Sequence, residues 1–130
     1  PACSAGIMCA AVADFTPDTC AEEKIKREGK QLVLHLNPTQ DIAAAIGNMK
    51  TINQKLCGFA LETHDAMSHA KEKLQRKHLD MIVMNSLQDA GAGFRVNTNK
   101  VTIITPDEVE SLPLQSKTDV AKEIINRFIP

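Results

Sequence analysis

Residues 55–85 read KLCGFALETHDAMSHAKEKLQRKHLDMIVMN, two short apolar runs on either side of an amphipathic stretch. The first run, residues 55–61, is apolar almost without a break, as expected of a strand covered on both faces. Thr63 or Asp65 then opens a helix to about Lys77, with Ala66, Met67, Ala70 and Leu74 on one stripe. Residues 80–85 form a further strand. A strand, a helix and a second strand in this order make a crossover between parallel neighbours of one sheet.

Upstream, Ile42, Ala45, Ile46 and Met49 recur at i, i+3, i+4 and i+7, which predicts a helix over residues 40–50 with Thr39 as its N-cap. Residues 31–36 read as a strand, and residues 7–13 as another, buried on both faces. Between them, residues 14–30 form a long loop with a charged cluster from Glu22 to Arg27. Loops of this length are usually functional. Downstream, residues 88–99 are a loop, and residues 100–105 and 112–115 pair as a hairpin edge. The last helix has Ser116 and Asp119 as a capping box and a stripe of Val120, Ala121, Ile124, Ile125 and Phe128. The whole order argues for an open, mainly parallel α/β sheet.

A length of 130 residues suits one domain with one core. The balance of 15 Lys and Arg against 16 Asp and Glu leaves no polybasic footprint, which disfavours nucleic acid and anionic membrane as partners. Four Phe with no Tyr or Trp provide little for stacking strings of bases. No stretch approaches the roughly 20 apolar residues of a membrane span, and residues 7–13 lack the basic flank of a secretory signal. The chain opens Pro1-Ala2-Cys3 without an initiator Met, which suggests a processed or excised piece. Cys3, Cys9, Cys20 and Cys57 form no C-x-x-C pair, and the four histidines are scattered, so a structural zinc is not expected. The cysteines read as reduced, small hydrophobes, with Cys9 and Cys57 inside buried strands.

Ligands of open α/β sheets bind beyond the carboxyl ends of the strands. There the sequence places Ala13-Asp14-Phe15, Asn37-Pro38-Thr39-Gln40, Glu62-Thr63 and Asn85-Ser86, each of which also serves as a plain polar cap. Neither G-x-x-x-x-G-K-[ST] nor G-x-G-x-x-G occurs, and Gly91-Ala92-Gly93 leads into a hairpin, where the fingerprint requires a helix. Phosphates would therefore depend on lysines and helix N-termini. The run Lys24-Ile25-Lys26-Arg27 is one candidate, with a solvated charge run as the plain alternative. Lys73 and Lys77, four apart, fall at the edge of their helix's apolar stripe, where an ammonium must snorkel or meet an anion. Asp14, directly after a strand, is a candidate functional carboxylate or a turn cap. No Ser-His-Asp or paired-carboxylate pattern is present locally.

Taken together, Ala10-Ala11-Val12-Ala13-Asp14-Phe15, Glu23-Lys24-Ile25-Lys26, Gly58-Phe59-Ala60-Leu61-Glu62-Thr63, Lys73-x-x-x-Lys77, Leu79-Asp80 and Asn85 resemble phosphopantothenoylcysteine synthetase. This is the CTP-dependent ligase of coenzyme A biosynthesis, usually the C-terminal half of a bacterial bifunctional enzyme. The resemblance runs from about Ile7 to Phe128. It implies an α/β fold of Rossmann-like type, a three-layer, open, mainly parallel sheet with a C-terminal hairpin and helix. It also implies a cytoplasmic homodimer acting on CTP, 4′-phosphopantothenate and cysteine, with Mg²⁺ assisting and a fused decarboxylase domain in the parent chain.

By matching position, Lys24 would be the catalytic loop lysine, and Met8, Cys9, Ala10, Asp14, Lys24, Asn37, Pro38, Thr39, Gln40, Phe59, Lys73 and Lys77 would contact CTP. Relatives often read Asn-Pro-Asp-Ile where Asn37-Pro38-Thr39-Gln40 stand here, so contacts through backbone are favoured there. The resemblance gives no metal ligands. The family's preceding segment, with its first strands, a glycine-rich turn and an asparagine for phosphopantothenate, has no counterpart in these residues, and neither has the flavin half. The sequence therefore reads as one α/β domain over residues 1–130, truncated at its N-terminus, without flavin and expected to be inactive alone. The alternatives are a non-catalytic nucleotide-binding or dimerisation module, and a dinucleotide-binding oxidoreductase piece suggested by fold class alone.

Overall fold

The computed structural model describes residues 3–27, 29, 31–62, 65–86 and 96–129. Its centre is the crossover expected from residues 55–85: β4 (Lys55–Glu62), α2 (Ala66–Arg76) and β5 (Met81–Ser86), with β4 and β5 parallel and Cys57 opposite Met81. β1 (Ala5–Met8) lies parallel to β4 on its other side, Ala5 opposite Lys55. β7 (Val101–Ile104) runs antiparallel to β5, and β8 (Val109–Ser111) antiparallel to β7. The sheet order is β1-β4-β5-β7-β8. α1 (Ile42–Met49) precedes β4, and α3 (Lys117–Phe128) follows the short ladder of β6 (Thr98–Asn99) with β9 (Gln115–Ser116).

Alternation along the strands divides the core in two. Leu56, Ala60, Ile82, Met84 and Ile104 face α2, whose Ala70 and Leu74 they bury, and Ile46 of α1 packs against the same cluster. Cys57, Met81, Val83, Val101 and Ile103 face the other way, onto Val120, Ile124 and Phe128 of α3. The result is three layers, with α1 and α2 on one face of the sheet and α3 on the other. Arg127 ties α3 to the edge strand, its Nε and Nη2 donating to both carboxylate oxygens of Glu110 at 3.0 and 2.9 Å.

Asp80 joins three elements where the parallel strands begin. Its backbone N–H donates to Leu56 O at 2.9 Å, and its Oδ2 accepts from Leu56 N at 2.7 Å. Lys50, the C-cap of α1, donates to both carboxylate oxygens at 2.8 and 2.6 Å. Asp80→Ala strips a partly buried ammonium and a strand N–H of their shared acceptor, so it should cost roughly 2 kcal/mol. The urea midpoint should fall, and Asp80→Asn, which keeps an acceptor, should lose less.

Several sequence expectations change. The run over residues 7–13 is not a strand buried on both faces: pairing ends at Met8, β1 is a sheet edge, and residues 9–13 are exposed. Residues 31–36 do not form a strand of the main sheet. Only Leu36 enters one, β3 (Leu36–Pro38), which pairs antiparallel with β2 (Phe15–Pro17) in a separate two-stranded arm. The loop over residues 14–30 thus contains β2. Val109–Ser111, not residues 112–115, completes the β7 hairpin, because the four-residue turn over residues 105–108 already returns the chain. In α3, Ser116 accepts from Asp119 N at 3.1 Å as the capping box requires, but Ala121 and Ile125 are exposed beside the buried stripe. Thr63, His64 and Gly91-Ala92-Gly93 lie outside the described residues, as does most of the loop over residues 88–99.

The cysteines also divide. Cys3, Cys9 and Cys20 are exposed, against the expectation of packed thiols, and Cys57 alone is buried, at 0% exposure. Burial, with a smaller contribution from nearby Cys9, pushes the Cys57 thiol up to about 12. At pH 8 an aromatic disulfide reagent should titrate three thiols within minutes and the fourth only on unfolding.

Candidate functional site

The excursion between β1 and α1 carries most of the candidate residues. Every described residue from Cys9 to Gln40 is exposed except Thr39, which is half-buried. Thr39 is the fastener: its Oγ1 donates to Ala13 O at 2.5 Å, and its N–H donates to Asp14 O at 2.9 Å. One turn further out, Asn37 Nδ2 donates to Asp18 Oδ1 at 2.7 Å, and Phe15 stands opposite Pro38 in the arm. The segments around Asp14 and Asn37-Pro38-Thr39-Gln40 are therefore in contact, although 23 or more residues separate them in sequence. The Asp14 segment follows the carboxyl end of β1, the side on which a ligand of an open sheet is expected, and Thr39 fastens the turn to it.

Met8 ends β1 opposite Gly58, so it lies beside Phe59 on β4. Phe59 is 37% exposed, and by alternation it projects from the face of Cys57, the α3 side. Lys73 and Lys77 belong to α2 on the other side. A ligand touching Phe59 and these lysines would have to straddle the strand ends. Lys24 is exposed and makes no hydrogen bond or ion pair with the described residues; the structure does not bring it to the others.

Sequence reading missed Asp41. It, not Thr39, is the N-cap of α1, its Oδ1 accepting from Ala44 N at 3.0 Å. The signal was available, since Asp41 directly precedes Ile42, the first residue of the apolar stripe. Thr39 is instead turned back onto Ala13. Asp41 also answers the question of the misplaced lysines in part: Lys77 Nζ lies 3.1 Å from Asp41 Oδ2. Lys77 meets an anion, and the anion is the protein's own. The Ala44 N–H holds the Asp41 carboxyl below the ordinary carboxylate range, opposed by partial burial and helped by Lys77. A folded-state value below the unfolded one stabilises the native state at neutral pH, and that stabilisation fades as pH falls through the folded value. Asp41→Asn should therefore have a lower urea midpoint than the parent at pH 7, and the difference should close as pH falls through the folded-state value, below the ordinary carboxylate range.

Among the described residues no three His, Cys, Asp or Glu side chains converge on one point, so they provide no cage for a magnesium ion. No described helix is long and apolar enough to cross a membrane.

Residues 1–130 match the profile of the family described as the DNA/pantothenate metabolism flavoprotein C-terminal domain. The chain belongs to this family. It is 45% identical over 123 residues to the coenzyme A biosynthesis bifunctional protein CoaBC of Bacillus subtilis, covering 94% of this chain and 30% of that protein. It is 51% identical over 128 residues to a cysteine/cysteine sulfinic acid decarboxylase of an unknown prokaryotic organism, covering 98% of this chain and 36% of the relative. A crystal structure of the C-terminal domain of CoaBC superposes with a TM-score of 0.73 at 35% identity, covering 95% of this chain and 52% of that one. The mainly parallel sheet with its flanking helices is thus the Rossmann-like α/β fold of that domain. The chain spans about a third of the length of the curated relatives it matches.

Proposed function

We propose that this chain supplies the nucleotide half of a CTP-dependent phosphopantothenate–cysteine ligase. The observation that carries the reading is the strand-end cluster in which the Asp14 segment, the Asn37-Pro38-Thr39-Gln40 turn and the Asp41–Lys77 pair meet. In this reading the nucleotide would also meet backbone groups of Met8, Cys9 and Ala10, Lys73 of α2 and, across the strand ends, the ring of Phe59. That inventory suits a base, a sugar and a triphosphate.

The chemistry explains why cations are needed. The carboxylate of 4′-phosphopantothenate attacks the α-phosphorus of CTP, the bond to pyrophosphate breaks, and an acyl-cytidylate forms. The amine of cysteine then attacks the acyl carbon, loses a proton, and expels CMP as the amide forms. The first step joins an anion to a polyanion and moves charge onto the departing pyrophosphate. Lys73 and Lys77 would hold the phosphates, and Lys77 would exchange its bond to Asp41 for one to phosphate. Lys24, free on its exposed segment, would close over the triphosphate as charge develops. Magnesium, when bound, would supply further neutralisation through the phosphate oxygens.

Isothermal titration tests the reading: CTP should bind saturably and at least tenfold tighter than ATP, and Lys77→Gln should weaken it. Heat-free titration with millimolar CTP would end the assignment. Release of carbon dioxide from cysteine sulfinate by the full-length protein, without nucleotide, would favour a decarboxylase.

A second reading, self-association, rests on a different observation. The arm exposes Phe15, Ile25, Leu32, Val33, Leu34 and Leu36, with Val33 at 69%, an apolar surface a lone chain has no reason to keep. A two-stranded ribbon is also marginal by itself. We propose that this arm seats against a second copy across a two-fold. Light scattering over a dilution series should then report a dimer that Leu34→Glu converts to monomer.

A further inference from the structure

A cavity of about 520 Å³ lies where β5 begins and β7 ends, beside the turn that closes α2. Its size is that of a small-molecule site. Leu74, Leu79 and Pro106 line it with apolar surface, Lys50 and Lys71 supply its cations, and His78 adds an imidazole. Lys71 on α2 and His78 in the turn that closes it both line the cavity, whereas Lys73 lies about 160° from Lys71 around the helix. The cavity and Lys73, assigned to CTP, thus belong to different faces of α2.

The charges do not cancel. Lys50 is neutralised by Asp80, at 2.8 and 2.6 Å. No hydrogen bond or ion pair among the described residues engages the Lys71 ammonium or the His78 ring. Asp107 and Glu108 follow Pro106 on the neighbouring turn, and both are exposed.

His78 also occupies a position that its own backbone disfavours. Leu79 N donates to Leu74 O at 2.9 Å and His78 N to Gln75 O at 3.1 Å, the two bonds that close a helix in a Schellman turn. The residue at its apex must be left-handed, and His78 has φ 50°. Glycine takes that conformation without strain. An imidazole held there, on the wall of a cavity and without a partner among the described residues, is placed for a ligand.

We propose that this cavity is a second ligand site, taking a phosphate monoester with a small apolar body. Its phosphate meets Lys71 and His78, and its body lies on Leu74, Leu79 and Pro106. A dianionic head suits an ammonium and an imidazole N–H on one cavity better than a neutral group does.

The test is an NMR titration of the isotope-labelled chain with phenyl phosphate at constant ionic strength, with inorganic phosphate as the head group alone. Phenyl phosphate should shift the His78 ring and Leu79 methyl signals saturably, and inorganic phosphate should bind more weakly. His78→Gly should keep a thermal midpoint at or above the parent's and bind at least fivefold more weakly, as should Lys71→Gln. Lys73→Gln should leave this binding unchanged. Linear, unsaturable shifts would overturn the proposal. So would full affinity in both Lys71→Gln and His78→Gly, or a loss of binding confined to Lys73→Gln, which would place the anion in the CTP site.

Discussion

Replacing Gly47 by alanine should leave the protein mostly unfolded at 37 °C, with a loss of 3 kcal/mol or more, about the range of severe core defects. Helix propensity alone gives the opposite sign, because alanine in a helix interior is favoured over glycine by about 1 kcal/mol. The reversal comes from the neighbour. A Cβ on Gly47 would stand 1.9 Å from the carbonyl oxygen of Lys77, 3.0 Å from its carbonyl carbon and 3.3 Å from the Cβ of His78. Those atoms are backbone, and they belong to the Schellman turn that ends α2. They cannot move without opening the turn or driving α1 off the sheet, which would also pull Asp41 from Lys77 and Lys50 from Asp80. Gly58 makes the control. A Cβ there would come within 2.8 Å of Leu79 Cδ1, the far end of a flexible side chain that can turn aside. Gly58→Ala should therefore cost about 1 kcal/mol. Chemical denaturation of the two variants beside the parent separates the cases, and equal midpoints for Gly47→Ala and the parent would show that α1 and α2 are not packed this closely.

The same contact shows where sequence reading reaches its limit. Periodicity located α1, α2, α3 and the β4–α2–β5 crossover, since each buries a face against a partner within the chain. Ser116 and Asp119 were legible because a capping box is local. Hydrophobicity alone cannot say what covers a run. Residues 7–13 and 31–36 are as apolar as β4, yet β1 is an edge of the described sheet and Leu32, Val33 and Leu34 are exposed, because no element among the described residues lies over them. Gly47 gives no local signal at all: its necessity comes from Lys77, 30 residues away. For the candidate site, the sequence located the lysines and the Asn37-Pro38-Thr39-Gln40 turn, and the resemblance supplied their roles. That Thr39 fastens the turn to Ala13 and Asp14, and that Asp41 holds Lys77, depends on a tertiary contact that spacing does not encode.

In the full-length protein, Lys24→Gln should lower turnover by about a hundred- to a thousandfold while CTP affinity falls much less, the usual scale for removing one donor aimed at developing charge. The split follows from where Lys24 stands. It is exposed, on a segment that makes no hydrogen bond or ion pair through Lys24, so its ammonium is free to move and contributes nothing to the fold. Lys77, by contrast, is already held against Asp41 beside the turn, and in the proposed reaction it would meet the ground-state triphosphate. A fixed cation binds substrate and transition state about equally and appears in affinity. A mobile one that closes as negative charge passes to pyrophosphate acts mainly on the transition state, and appears in kcat. Lys77→Gln should therefore raise KM for CTP more than it lowers kcat, and Lys24→Gln should do the reverse. Pre-steady-state release of pyrophosphate, followed with phosphopantothenate and CTP in the absence of cysteine, places the defect. For Lys24→Gln the burst itself should slow, because in the proposed reaction the lysine serves formation of the acyl-cytidylate and not the attack by amine. A normal burst with slow amide formation would move Lys24 to the second step, and full activity would remove it from the mechanism.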